Sequence, residues 1–284
     1  MANIIGLSTS QIKSRYRDKV EVYVEGKDDL AIYKNYWFSQ LTDKLNFICA
    51  EEGGAAVPGC VGVERNVITQ RLAGIDAYGL IDRDAVSDFI HASETNDISY
   101  LEKNYQKNPY IYYTVRWELE NYLIDPDVWE QERVNAKTQG HNRREAMAVY
   151  EEILEHCQIL VAHAAANVVR QIFGQPKIPD GFGSQAKSRA AYEKELFSTI
   201  MLDASEEQQI AYREWVSRIE AFDFPDGTPS DRVLAICRRI HGKALLLRFF
   251  KTYNIQDEKR FSVAYHLAGK VPRELSDKLL SWLG

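Results

Sequence analysis

Three short apolar stretches in the first half of the chain break off into carboxylates, and no other feature limits the fold as much. Residues 20–25, VEVYVE, alternate apolar and polar types and end at Glu25. Residues 77–81, AYGLI, form a continuous apolar run that gives way to Asp82-Arg83-Asp84. Residues 110–115, YIYYTV, are rich in aromatic and β-branched types and precede Glu118 and Glu120. A period of two marks a half-buried strand, and a short apolar run bounded by charge marks a buried one. A fourth short run, 47–50, ends at the turn-like Glu51-Glu52-Gly53-Gly54. Between the strands, 28–45 carries Leu30, Tyr33, Trp37, Leu41 and Leu45 at helical spacing, and 61–72 reads as a second helix. Strand and helix alternate, as they do in a parallel sheet with crossover helices. Such sheets bind ligands at the carboxyl ends of their strands.

The second half changes character. Asp125-Pro126 predicts a helix start, with Asp as the cap and Pro in the first turn. A long helix is expected from Ala146 to Phe173, stopping at Gly174, and then a loop, GQPKIPDGFGSQ, dense in Gly and Pro. Further helices are expected at 187–202, 205–221, 230–241, 244–253 and 272–283. The one at 205 opens with Ser205-x-x-Gln208, a capping-box pattern. The expected organisation is an α/β core over 1–125, with a mostly parallel sheet flanked by helices. An all-helical C-terminal region over 126–284 is expected to pack on it.

Composition narrows the function classes. In a chain of 284 residues, 45% hydrophobic residues are enough for one large domain or two ordinary ones. The longest apolar stretch, around Ala244–Phe250, is broken by Arg248, so no membrane span is expected. The opening residues carry no secretion pattern, which makes the cytoplasm the expected location. Cys49, Cys60, Cys157 and Cys237 form no C-x-x-C pair and read as reduced, mostly buried thiols. The net charge of -6 argues against indiscriminate coating of nucleic acid. Local balance differs, however. From 232 to 260 the bases Arg232, Arg238, Arg239, Lys243, Arg248, Lys251, Lys259 and Arg260 face only Asp257 and Glu258. Phe249, Phe250 and Tyr253 are interleaved, as backbone neutralisation and base stacking require. Lys13, Arg15, Arg17 and Lys19 make a smaller second cluster. The ordinary reading of both is a set of solvated helix faces.

The carboxylates carry the chemistry. In Asp82-x-Asp84 both side chains point the same way if the chain stays extended. Two carboxylates so placed repel each other unless a cation lies between them, and oxygen donors suit magnesium or manganese. Taken singly, each motif has an ordinary explanation as a turn or a helix cap. Together, strand-Glu25-Gly26-x-x-Asp29 followed by strand-Asp82-x-Asp84 resembles the Toprim domain of topoisomerases, bacterial primases and OLD-type nucleases. V-E-G-K-D-D at 24–29, I-D-R-D at 81–84, E-N-Y-L at 120–123 and H-G-K-A-L-L at 241–246 are similar to one OLD-like Toprim subgroup. That subgroup includes the Toprim effector of the PARIS anti-phage system, which works beside an ABC-type ATPase.

The resemblance implies a Rossmann-like Toprim core and a nuclease that hydrolyses phosphodiesters of DNA or RNA with water as attacker. It implies one or two Mg2+ or Mn2+ ions held by Glu25, Asp82 and Asp84, with Glu25 also serving as general base or acid. Glu120, and less directly Glu118, would add a further carboxylate. Lys243 would stabilise charge on the phosphate, and Arg238, Arg239, Lys243, Arg248 and Lys251 would contact nucleic acid. The implied partners are the nucleic acid, an ABC-type ATPase and, in a homodimer, a second copy of the chain, with no membrane. The ATPase must be a separate chain, because no G-x-x-x-x-G-K-[ST] sequence is present. Two other readings compete. In one, a Toprim-fold binding or regulatory subunit is held by the ATPase without independent catalysis. In the other, Asp82-x-Asp84-x-Val86 belongs to a haloacid-dehalogenase-like phosphatase, though that family places its motif on the first core strand.

Overall fold

Strand β1 (Val20–Val24) is central because nearly every residue in it is apolar enough to be covered on both faces. It pairs in parallel with β2 (Leu45–Cys49) on one side and β3 (Ala77–Ile81) on the other. β4 (Ile111–Tyr113) adds in parallel to β3, and the order is β2-β1-β3-β4. In this computed structural model the described residues are all except 1–18, 55–56, 86–89, 91–92, 94–95, 137–141 and 257–258. Lys13, Arg15, Arg17, Val86, Asp257 and Glu258 therefore lie outside them. Val22, Tyr23 and Val24 are buried, as strands of parallel sheets are. Simple alternation would expose Glu21. It is instead buried, and its Oε2 accepts a hydrogen bond from the Tyr23 hydroxyl at 2.9 Å.

The crossover after β1 is α1 (Lys27–Ala31), a π-helical turn over Ile32–Trp37 and a 3-10 turn over Ser39–Leu41. The single helix expected over 28–45 does not form. The chain leaves helical geometry at Phe38, with φ -122°, and Leu45 is the first residue of β2, buried opposite Val20. Its helical spacing was fortuitous, and pairing with the central strand decides its structure. Tyr33, Phe38 and Phe47 stack with centroids 6.1 to 6.2 Å apart and hold this crossover to the sheet. Helix α2 (Gly59–Leu72) packs on β3 and β1. The approach needs glycine at 79, where a Cβ would lie 2.5 Å from Val63 Cγ1. Helix α3 (Asp97–Lys107), capped by Asn96, leads into β4.

The chain divides into two units. The first holds the described residues of 1–87, with 96–115 and 268–284; the second holds those of 88–95 and 116–267. The second contains a 3-10 turn over Leu119–Leu123 and helices α4 (Pro126–Ala136), α5 (Ala146–Ile172), α6 (Arg189–Ser198), α7 (Glu206–Glu220), α8 (Pro229–Ile236), α9 (Gly242–Tyr253) and α10 (Lys259–His266). Two expected caps are present. Asp125 Oδ1 accepts the Val128 N–H at 3.0 Å, and Ser205 and Gln208 exchange hydrogen bonds at 3.2 and 2.9 Å. The run from Ile159 to Val169 on α5 is buried all round, so α5 is the core against which α4 and α6 to α9 pack, with α10 against α4.

Helix α11 (Arg273–Ser281) returns to the sheet unit. Just beyond it Trp282 stacks on Tyr78 of β3, with centroids 4.6 Å apart and planes 9° from parallel. The Arg71 guanidinium lies 4.3 Å from the centre of the same ring. The expected boundary at 125 and the single C-terminal helical region of 126–284 therefore give way to a division at 115, with the last segment belonging to the sheet. Among the described residues, no helix is long and apolar enough to cross a membrane. Trp282→Ala should destabilise the sheet unit by about 3 kcal/mol, the usual cost of truncating a buried Trp, as read by urea denaturation. Tyr265→Ala, at an exposed ring, should cost about 0.5 kcal/mol or less.

Candidate active site at the carboxyl edge of the sheet

Glu25 follows β1 and Asp82 follows β3. These strands are parallel neighbours, so both residues emerge at one edge of the sheet. From β1 the chain crosses to β2 on one side, and from β3 to β4 on the other. The order thus reverses between β1 and β3, where open α/β sheets form their binding crevice. Here the Asp82 N–H donates to Glu25 Oε1 at 2.8 Å. The bond fixes the glutamate against the end of the neighbouring strand.

The flanking residues position this pair. Gly26 has an ordinary extended backbone, φ -137°, and its N–H donates to Asp29 Oδ2 at 2.9 Å. Asp29 is thus explained as a cap of the α1 N-terminus, accepting the Gly26 N–H. After Asp82 the chain does not stay extended but enters a 3-10 turn over Arg83–Ala85. The parallel aim of Asp82 and Asp84 expected from strand alternation therefore does not apply. Arg83 between them fixes the segment. Its side chain is fully buried, bonds Asp97 Oδ1 at 2.6 Å and the Val115 carbonyl at 3.0 Å, and covers the Tyr100 ring at 4.1 Å. Asp82 and Asp84 on either side of it are only half-buried.

Two residues of α2, missed by sequence reasoning, belong to this edge. Cys60 is pushed above the usual thiol range by burial and then by the negative charge of Glu25, with Glu64 and Asp84 adding to it. Glu64 accepts the Tyr113 hydroxyl at 2.9 Å, and burial together with Glu64 keeps that phenol protonated. The available signal was the i,i+4 spacing of Cys60 and Glu64, which puts both on one helix face. Glu25, Glu64, Asp82 and Asp84 bring anionic, oxygen-only side chains to the neighbourhood of this switch point, although no three of them have ligating oxygens within 4.8 Å of one another. That chemistry fits a hard divalent cation such as Mg2+ or Mn2+.

The other carboxylates read from sequence lie in the second unit. Glu120 is buried in the Leu119–Leu123 turn. The Glu118 carboxylate caps α9: Oε2 accepts the Lys243 N–H at 2.9 Å, and the Lys243 ammonium lies 3.8 Å from Oε1. The Asn121 amide donates to the Ile240 carbonyl at 3.1 Å, and the Trp117 N–H to that of Cys237 at 3.2 Å. Glycine is required at 242, where a Cβ would meet Asn121 Oδ1 at 2.7 Å. The E-N-Y-L and H-G-K motifs are thus two sides of one junction. The Lys243 backbone N–H is taken by Glu118.

Two of the eight bases in the basic stretch are buried, and the others are half-buried or exposed. Arg239 is buried, bonds the Ser93 carbonyl at 3.0 Å and covers the Phe222 ring at 3.7 Å. Arg248 is buried and donates to the Gly183 and Ala186 carbonyls and to His156 Nδ1. Arg232 is clamped to Asp223 at 2.9 and 2.6 Å. Phe249, Phe250 and Tyr253 are buried too, with Phe249 and Phe250 packed on Trp129. They form core rather than a stacking platform. Arg239 and Arg248 are thereby excluded as surface contacts to nucleic acid, while Lys243 and Lys251 are exposed and Arg238 is half-buried.

Among the described residues, His163, Asp180 and His241 form a group whose ligating atoms lie within 4.8 Å of one another. It lies in the second unit and includes none of the carboxylates read from sequence. Burial, with His241 and Arg248 alongside, holds the His163 imidazole well below its usual pKa and therefore neutral. The chain matches no protein-family model and no curated protein.

Glu118→Ala should cost the second unit about 1 to 2 kcal/mol in a urea melt, because it removes the cap of α9. Glu118→Gln, which keeps an acceptor oxygen, should recover most of that. Equal losses in the two variants would show that charge rather than capping is the role of Glu118.

Proposed function

We propose that the sheet unit is a Toprim-like, divalent-metal-dependent phosphodiesterase and that the chain is a nuclease acting on DNA or RNA. One observation carries the reading: the Glu25 carboxylate reaches across the switch point and is fixed by the Asp82 N–H at 2.8 Å. That contact joins the two motifs of the family pattern at the position where a parallel sheet binds its ligand. The negative charges of Glu25, Glu64 and Asp84 all raise the Cys60 thiol, which agrees with an acidic edge.

When bound, Mg2+ or Mn2+ would lower the pKa of water and stabilise charge on the phosphate oxygens. The residues that would hold it are Glu25, Asp82 and Asp84, with Glu64 as the added carboxylate. The protein's own contribution is positioning and proton handling. The Asp82 N–H orients the Glu25 carboxylate through Oε1, and that carboxylate would ligate the cation or take a proton from the attacking water. The buried Arg83 prevents the Asp82–Asp84 segment from moving away from the edge. Tyr113, kept protonated, orients Glu64 by donating to it.

The role in anti-phage defence and the ABC-type ATPase partner rest on the likeness of E-N-Y-L and H-G-K-A-L-L to the subgroup. That these two motifs form one hydrogen-bonded junction supports treating them as one character. The phosphatase reading is weaker, because Glu25, not Asp82, follows the central first strand.

The test is Glu25→Gln, which keeps an oxygen for the Asp82 N–H and removes the charge. Assayed with Mg2+ or Mn2+ on plasmid DNA and on structured RNA, it should lower cleavage by at least about a hundredfold while thermal melting is unchanged. Cleavage at the wild-type rate would contradict the proposal. Absence of cleavage and of cell toxicity in the wild-type chain would favour the binding-subunit reading.

A further inference from the structure

The geometry points to a transition-metal site in the second unit, formed by His163 of α5, Asp180 of the following loop and His241 at the start of α9. It does not depend on the nuclease reading, and it takes a different class of ion from the one that the sheet edge fits.

His163 is fully buried in the middle of α5. Its Nδ1 lies 2.7 Å from the Tyr192 hydroxyl, whereas its Nε2 is buried with no hydrogen-bond partner. A buried imidazole nitrogen without a partner is costly, and such a group calls for an explanation. A metal ligand supplies one, because ligating histidines commonly use the second ring nitrogen to hold an orienting group, here Tyr192. The His241 ring is 5.1 Å from that of His163, and its Nδ1 is 3.9 Å from Glu118 Oε1.

The third donor is placed by the same residues. Asn167, one turn after His163 on α5, has its Nδ2 3.4 Å from His241 Nε2. Its Oδ1 accepts the Ile178 N–H at 2.7 Å, which draws in the loop that carries Asp180. Further along this loop Gly183 has φ +60°, and a Cβ there would lie 2.3 Å from the Tyr192 ring. Arg248 closes the loop through the Gly183 and Ala186 carbonyls. Tyr192, Asn167 and Arg248 thus shape an otherwise irregular Gly- and Pro-rich segment around the two imidazoles.

Two imidazoles and one carboxylate suit zinc and neighbouring first-row ions rather than magnesium. Donors around such an ion stand about 3.4 Å apart in tetrahedral geometry. The three donors here all lie within 4.8 Å of one another, so binding requires at most a modest adjustment of the side chains. The bound ion would pin the 175–187 loop to α5 and to the N-terminus of α9, with a remaining position for water.

The test uses the full chain stripped with chelator and titrated with Co2+ or Zn2+. With excess Mg2+ present to occupy the carboxylate edge of the sheet, calorimetry should give one tightly bound equivalent. Co2+ should show the visible d–d bands of a nitrogen and oxygen donor set, and Zn2+ should raise the melting temperature. Asp180→Ala and His241→Asn, each confirmed as folded by circular dichroism, should bind at least tenfold more weakly. Glu25→Gln should bind as wild type does, which separates this site from the sheet edge. Less than one equivalent in the wild type, undiminished binding in both variants, or thiolate charge-transfer bands in place of the d–d spectrum would overturn the proposal.

Discussion

A single hydrogen bond, from the Asp82 N–H to Glu25 Oε1, connects the sheet to its chemistry. It exists because β1 and β3 are parallel neighbours whose ends emerge together, and because the connections diverge on either side of them. β1 is covered on both faces, its one internal carboxylate, Glu21, is bonded to Tyr23 within the strand, and the next acidic group is at its exit. A glutamate there is held in place rather than left mobile, and the adjoining Asp82 and Asp84 are steadied by the inward Arg83. The result is an acidic edge on a rigid sheet, the kind of scaffold that keeps donors within a small tolerance of a useful geometry.

The second unit solves a different problem. The stretch Ile159–Val169 of α5 is buried on every side, and the helices around it bring some basic residues inward. Arg239 and Arg248 donate to backbone carbonyls, which costs less than an unpaired buried charge and closes loops at the same time. The junction of Glu118, Asn121 and Lys243 works in a similar way, with side chains completing the start of α9.

Much of the sheet was legible because short apolar runs ending in charge leave few alternatives: β1, β3 and β4 lie where the runs lie, and Glu25 and Asp82 follow from the strand ends. Caps at Asp125 and Ser205 were readable because they are local. Long-range packing was not. Leu45 matched a helical period but belongs to β2. The return of α11 depends on Trp282 finding Tyr78, which no local pattern encodes. The basic run from 232 to 260 looked like a surface because sequence shows charges but not the carbonyls that bury them. Glu64 was hidden inside an ordinary helix, and His163, Asp180 and His241 come together only through tertiary packing.

The most direct test of the central claim is anomalous diffraction from crystals of the chain soaked in Mn2+. The account predicts a manganese peak at the carboxyl edge of the sheet, within about 2.2 Å of oxygens from Glu25 and at least one of Asp82 and Asp84. A fully soaked crystal with no peak there, or with Mn2+ bound only elsewhere, would contradict it.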